Sequence, residues 1–251
     1  MKAVLIGVPA SHPTVAAELM LARKGVEAER FDLVPGLHRF LLRRVFPAGT
    51  VPAMVLDGQR LQGTRTISRA LDALVPEPAL FPPEPGRREA VERAELWGDL
   101  ALQPAVRRLA WAALKRDRST IRTFLDDANL GLPTGLAVAT AGPVVALCAR
   151  LNRAGDRSAK RDLEALPRLL DRVDELIAGG VLSGDGAPGG DGALNAADCQ
   201  IAPTVRLLLA FDDLRPAIEQ RPARRHALRV IPRFEGRIPP VFPADWLRSV
   251  R

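Results

Sequence analysis

The chain has 251 residues, 47% of them hydrophobic, and a net charge of +7. That is enough apolar residue for one large core or two ordinary ones, and it excludes a disordered or fibrous chain. Most of the 36 basic residues are arginines scattered among acids, with no basic run interleaved with aromatics, so nucleic acid is not expected as a partner.

Lys2 to Val8 is a continuous apolar run with β-branched residues, which predicts a strand buried on both faces. It is too short for a secretory signal before Pro9 and Ser11. Residues 9–13 form a turn. Pro13 is placed to be the first residue of a helix that runs to Lys24, with Gly25 as its left-handed end. Val26 to Leu33 predicts a second strand, and strand, helix, strand at this length gives a parallel pair. Leu37 to Phe46 predicts a helix.

Residues 50–65 carry the densest local signals. Val51-Pro52 opens a strand, where proline cannot donate to the ladder and where the cis form costs little. Asp57-Gly58 between two short extended runs predicts a type I′ hairpin, because both central residues must take positive φ. Thr64 is the expected N-cap of a helix reaching about Val75.

Residues 75–88 contain Pro76, Pro78, Pro82, Pro83 and Pro85 and predict a linker. The division expected is a domain over 1–76, a linker over 77–88 and a domain over 89–251. Beyond the linker the pattern is helical: 88–115, 119–129 capped by Ser119, 134–153, 158–178, 195 to about 211, and short helices within 214–230. No residue from Ala128 to Ala149 is charged. Its glycines, prolines and alanines predict a buried helical hairpin or central helix, with a membrane-contacting segment as the less favoured alternative. Residues 183–193 predict a loop. Asn195 and Asp198 form a capping box, with Leu194 and Cys199 as a hydrophobic staple, on a helix expected to be central to the second domain.

Cys148 and Cys199 have no metal-ligand spacing, and His12, His38 and His226 do not cluster, so no metal is expected. Buried free thiols suit a reducing, cytoplasmic compartment.

Val51-Pro52, the segment Leu61 to Ile67, and the Asn195–Asp198 cap stand in this order around a proline-rich linker. In that arrangement the chain resembles the soluble glutathione transferases over nearly its whole length. The resemblance implies an α/β plus all-α architecture: an N-terminal thioredoxin-like domain of order βαβαββα, then an all-helical C-terminal domain. It implies a detoxification-type transferase joining a low-molecular-weight thiol, glutathione or another bacterial thiol, to an apolar electrophile, and a homodimer. No metal, nucleic acid or membrane partner is implied.

The resemblance also assigns positions. The backbone of Val51, beside a cis Pro52, would pair with the cysteine of glutathione as an added strand. Thr64 falls on the family's serine, and with Arg65 it opens a helix whose N–H groups would hold the γ-glutamyl carboxylate. Gly63 falls on the family's Glu or Gln, so that side-chain contact is lost. His38, Arg39, Arg43 and Arg44 are the candidates for the glycyl carboxylate. Classes of the family stabilise the thiolate with Tyr, Ser or Cys after the first strand. This chain has no tyrosine and no cysteine before Cys148, which leaves Ser11 in a Gly-x-Pro-x-Ser run. Ser11 serves equally well as a helix cap. Thr14 is the alternative hydroxyl and His12 a possible neighbour in the chemistry. The electrophile pocket would lie between the domains, with Trp97, Leu100 and Trp111 as candidate walls. The alternative is a non-catalytic member that binds apolar ligands or a protein partner.

Overall fold

The computed structural model describes residues 2–125, 134–183 and 193–250. The uncharged stretch before Thr134, the end of the helix expected to reach Asn129, and most of the 183–193 loop lie outside the described residues.

The N-terminal region is a four-stranded sheet of order β2-β1-β3-β4. β1 (Ala3–Gly7) runs parallel to β2 (Ala28–Asp32) and antiparallel to β3 (Ala53–Leu56), which pairs with β4 (Gln59–Gln62). α1 (His12–Arg23) makes the crossover. It begins one residue earlier than Pro13 and is capped by Ser11, whose Oγ accepts from the Thr14 N–H at 3.3 Å. Gly25 turns the chain out of it at φ +63°. The hairpin forms as the sequence predicts, with Asp57 and Gly58 at φ +46° and +86°.

α2 (His38–Leu42) is shorter than the helix expected over 37–46. The chain folds back on it: a Cβ on Gly49 would stand 2.4 Å from the Arg39 carbonyl oxygen. The Gln62 carboxamide fixes the returning loop by accepting from Ala48 N–H at 2.8 Å and donating to the Ala48 and Thr50 carbonyls at 2.6 and 2.8 Å. The Val51-Pro52 bond that follows is cis. α3 (Thr64–Leu74) is capped by Gly63 and not by Thr64, which is its first helical residue. The extra β-to-helix turn takes φ +83° at Gly63, a conformation for which glycine is suited and threonine is not.

Residues 75–84 are tied down by the buried ammonium of Lys24. Its Nζ donates to Asp72 Oδ1 at 2.7 Å and to the carbonyls of Val75, Pro76 and Pro78 at 2.7, 3.2 and 2.8 Å. Helix resumes at Pro85, inside the proline-rich stretch, because Glu84 caps it and a proline in the first turn loses no bond.

The rest is helical. The single helix expected over 88–115 is two, α4 (Pro85–Trp97) and α5 (Gln103–Arg116), joined by a π-helical turn at Gly98–Leu102. Pro104 cannot donate to the carbonyl four residues back, which breaks the α register. Gly98 meanwhile lies so close to the neighbouring helix that a Cβ would be 2.9 Å from Ile201 Cγ1. A 3₁₀ turn at Arg118–Phe124 replaces the expected α-helix, and its cap is Asp117, which accepts from Ser119 N–H, rather than Ser119. The stretch 134–153 is also divided, into α6 (Thr134–Ala139) and α7 (Ala141–Leu151), with Thr140 between them.

α8 (Asp156–Ala178) buries Leu163, Leu166, Leu170, Val173 and Leu176. α9 (Ala196–Leu208) is nearly all buried and packs against α1, α4, α5 and α11 (Pro222–Val230), so it is central as the sequence predicts. Its capping box forms, with Asn195 Oδ1 accepting from Ala197 N–H and Asp198 Oδ2 from Asn195 N–H, both at 2.9 Å. The staple does not take the predicted form. Leu194 packs in the cluster of Ala202, Val230 and Ile231, while Cys199 belongs to the main core. α10 (Arg215–Ile218) is the remaining short helix. One apolar core runs from β1 and α1 through α9 to the final residues, so the sheet region and the helical region share it. Among the described residues no helix is long and apolar enough to cross a membrane.

Candidate active site at the domain junction

A cavity of about 400 Å³ opens between the sheet region and the helical region. The β1–α1 loop, α2 and Val51 form one wall, and α5, the 118–124 turn and α7 form the other.

The loop after β1 rises sharply, with Ala10 at φ +53°, and delivers Ser11 to the cavity. Ser11 Oγ accepts from Thr14 N–H, and its own proton remains available for donation. Thr14 is not part of the wall. It is fully buried behind the loop, where a Cβ on Gly7 would stand 2.5 Å from its Cγ2. His12 does line the cavity and is only 3% exposed. Burial, reinforced by the Arg107 charge, pushes its pKa down to about 3, so the ring is neutral at physiological pH.

α2 brings His38 and Arg39 to the same cavity. The Gly36 N–H donates to His38 Nδ1 at 3.1 Å. Burial and the adjacent Arg39 lower its pKa to about 4, so Arg39 is the charged member of the pair. Arg43 and Arg44 are exposed and outside the wall.

Val51 lines the cavity immediately before the cis bond. Its N–H and C=O have no hydrogen-bond partner among the described residues. The Pro52 carbonyl instead accepts from Gly63 N–H at 2.9 Å, which sets the start of α3 directly beside this edge. No side chain caps that start. Thr64 is buried there, and neither it, Pro52 nor Arg65 forms part of the cavity wall. The Arg65 guanidinium is turned toward Glu95 of α4, 3.8 Å away. Glu95 is fully buried and also accepts from Ser68 at 2.7 Å and from Arg69. Burial raises its pKa, against the pull of Arg69, Ser68 and Arg65.

On the helical side Trp111 is in the wall, with Leu114, Phe124 and Leu207. Trp97 packs against the core instead, and Leu100 is 68% exposed. The π-helical turn changes the phase of the helix between them and Trp111, which a straight helix would not do. Cys148 also reaches the wall, and burial pushes its pKa up to about 12 despite the nearby Arg39. As a thiol it is inert at neutral pH.

Sequence reasoning missed the basic character of this space. Arg39, Arg107, Arg108 and Arg153 line it, and among the described residues no Asp or Glu does. The available signal was Arg107-Arg108 interrupting an otherwise apolar helix face. Among the described residues no group of three or more His, Cys, Asp or Glu could hold a metal.

Residues 5–79 match the family model of the glutathione S-transferase N-terminal domain. Those residues thus resemble a glutathione S-transferase N-terminal domain. Several solved structures share the fold over most of both chains. The glutathione transferase F7 of Populus trichocarpa has a TM-score of 0.61 at 15% identity, covering 99% of this chain and 97% of that one. The β-etherase LigF of Sphingobium sp. strain SYK-6 has a TM-score of 0.60 at 18% identity, covering 83% of this chain and 84% of that one. A glutathione transferase homolog from Burkholderia gl BGR1, solved with bound glutathione, has a TM-score of 0.52 at 17% identity, covering 93% and 92%. At these identities the likeness is one of fold. No curated protein matches the chain.

Proposed function

We propose that this protein binds glutathione, or a comparable low-molecular-weight thiol, at the domain junction and transfers it to an electrophile. The observation that carries the proposal is the unpaired backbone of Val51, which opens onto the same cavity as Ser11. Unpaired main-chain groups just before a strand offer hydrogen bonds to an extended peptide. The cysteinyl unit of glutathione would pair there. Its γ-glutamyl carboxylate would meet the uncapped N–H groups of α3, with the Thr64 hydroxyl and Arg65 at that end. Its glycyl carboxylate would meet Arg39 and His38.

The thiol would then lie toward Ser11. Ser11 donates its proton to the sulfur while accepting from Thr14 N–H, so the α1 N-terminus polarises the hydroxyl. Lowering a thiol from about 8.5 by two units takes roughly 2.7 kcal/mol of preferential stabilisation, within reach of such an arrangement. The thiolate sulfur attacks the electrophile held against Trp111.

A second reading is a binding protein of the same fold without catalysis. Gly63 favours it, since the side-chain contact from that position is missing. Calorimetric titration with glutathione, repeated on Ser11→Ala and Thr64→Ala, separates the two. The transferase reading expects saturable binding weakened in Thr64→Ala, and conjugating activity lost in Ser11→Ala. Absence of saturable thiol binding at millimolar concentration would sink it.

Two further points belong to this proposal. Leu96 and Leu100, one turn apart and both exposed, suit contact with a second copy of the chain, which sedimentation would detect as a dimer. A cytoplasmic setting fits two buried free cysteines.

A further inference from the structure

We propose that the second substrate of this cavity is an apolar, planar carboxylic acid, and that Arg107 receives its carboxylate. The proposal rests on the thiol-site reading for the position of the sulfur and goes beyond it in naming the class of electrophile.

The helical wall is apolar except for Arg107 and Arg108 on α5 and Asn152 and Arg153 just after α7. Arg107 and Trp111 both line the cavity from that helix, four residues apart. They share one face, separated by about 6 Å along the axis. A benzoate-sized acid spans that separation, with its ring against Trp111 and its carboxylate at the guanidinium.

Of the two arginines that α5 sends into the wall, Arg107 is the one without an ion-pair partner among the described residues. Its neighbour Arg108 is neutralised by Asp162, with Nε and Nη2 donating to the two carboxylate oxygens at 2.6 and 2.7 Å. Arg107 has only a 3.4 Å contact to Gln103 Oε1, and no carboxylate stands within ion-pair distance among the described residues. Asp99 attracts it from farther off, while Arg108 and Arg39 repel it. An arginine in a half-desolvated wall keeps its proton, and a ligand anion in contact with it would supply the close counter-charge that Asp99 gives only from a distance. Glutathione does not need this residue. Both its carboxylates are assigned to the sheet-region side, at α3 and α2, across the cavity from α5.

4-Chloro-3-nitrobenzoate is a suitable probe, with its neutral amide as control. In the conjugation the thiolate sulfur forms a bond to the chlorine-bearing carbon, the C–Cl bond breaks, and chloride leaves. The carboxylate takes no part. Calorimetry of the wild type with each compound, without thiol, is expected to show the acid binding about tenfold tighter or more, in keeping with a charge-assisted bidentate pair. In Arg107→Gln the two should bind within about twofold of each other, and Arg107→Lys should keep part of the preference. Equal affinity of acid and amide for the wild type overturns the proposal, as does a full preference surviving in Arg107→Gln. The wild-type comparison needs no variant, so misfolding of Arg107→Gln cannot hide the answer. A separate glutathione titration keeps the two ideas apart: no glutathione binding with the acid preference intact refutes the thiol site and supports the anion site.

Discussion

At the cap of α3, Gly63 holds φ +83° and ψ +147° with nothing within 4 Å of where a Cβ would stand. The space is free but the backbone is not, because an L side chain is strained at that φ by about 1–3 kcal/mol. Gly63→Ala is expected to lower stability by about 1–2 kcal/mol in urea denaturation. An unchanged midpoint would contradict the strain argument. The sequence displays this glycine as a departure from the family. The reason for it, a backbone angle, is not written in any side chain.

His12 gives a pH dependence at the same scale. Its folded pKa of about 3 lies below the ordinary 6.5, so as pH falls the unfolded chain takes up the proton first. The stability contribution is complete above about 6.5 and is lost progressively as pH falls toward 3. Between pH 6.5 and 5 the loss is about 2 kcal/mol, at 1.36 kcal/mol per unit. Denaturation of the wild type and His12→Gln at pH 7 and pH 5 checks this. The wild type should lose about 2 kcal/mol more than the variant, and equal losses would refute it. Cys148 supplies a third test. With its pKa pushed up to about 12, it should alkylate with iodoacetamide far more slowly at pH 7.5 than a free cysteine does. Rapid modification in the native protein would contradict its burial.

At the scale of elements, the linker is the part whose rigidity the sequence concealed. Five prolines in a short span suggest a spacer. Lys24 turns it into a fixed joint by satisfying Asp72 and three carbonyls at once. Asp72 also accepts from Leu80 N–H at 2.7 Å, which locks the far end. Lys24→Met is expected to cost about 3 kcal/mol and to raise amide exchange around Leu80. A loss under about 1 kcal/mol would show that the joint does not depend on the ammonium.

The elements legible in the sequence are those coded by contiguous residues. β1 follows from its apolar run, the hairpin from Asp57-Gly58, and the α9 cap from Asn195 and Asp198. The misread ones depend on distant contacts. α2 stops early because Gly49 returns onto Arg39. α4 and α5 are offset where Gly98 meets Ile201. Leu194 finds Val230 and Ile231 instead of Cys199, because α11 lies beside it. Periodicity within one helix carries no information about any of these.

At the scale of the whole molecule, the site exists only where the two regions meet. Ser11, Arg39 and Val51 line the cavity, and each sits in a local motif of the sheet region that the sequence displays. Arg107, Cys148 and the Phe124 wall come from the helical region, and their common neighbour is the cavity rather than any stretch of chain. The same separation explains Trp97 and Leu100: apolar spacing along a helix says that a face is buried, but not against what. The Arg65 side chain, turned to Glu95, belongs to a tie between α3 and α4, so the start of α3 is braced from the helical side.

The central claim is that Ser11 and the Val51 edge together hold a thiol as its thiolate. Its most direct measurement is the ultraviolet thiolate absorbance of glutathione titrated with pH in the presence of saturating protein, for the wild type and for Ser11→Ala. A wild-type titration midpoint about two units below the free thiol's 8.5, returning toward 8.5 in Ser11→Ala, is the predicted result. A bound thiol that titrates near 8.5 in the wild type, or a lowered midpoint unchanged in Ser11→Ala, would contradict it.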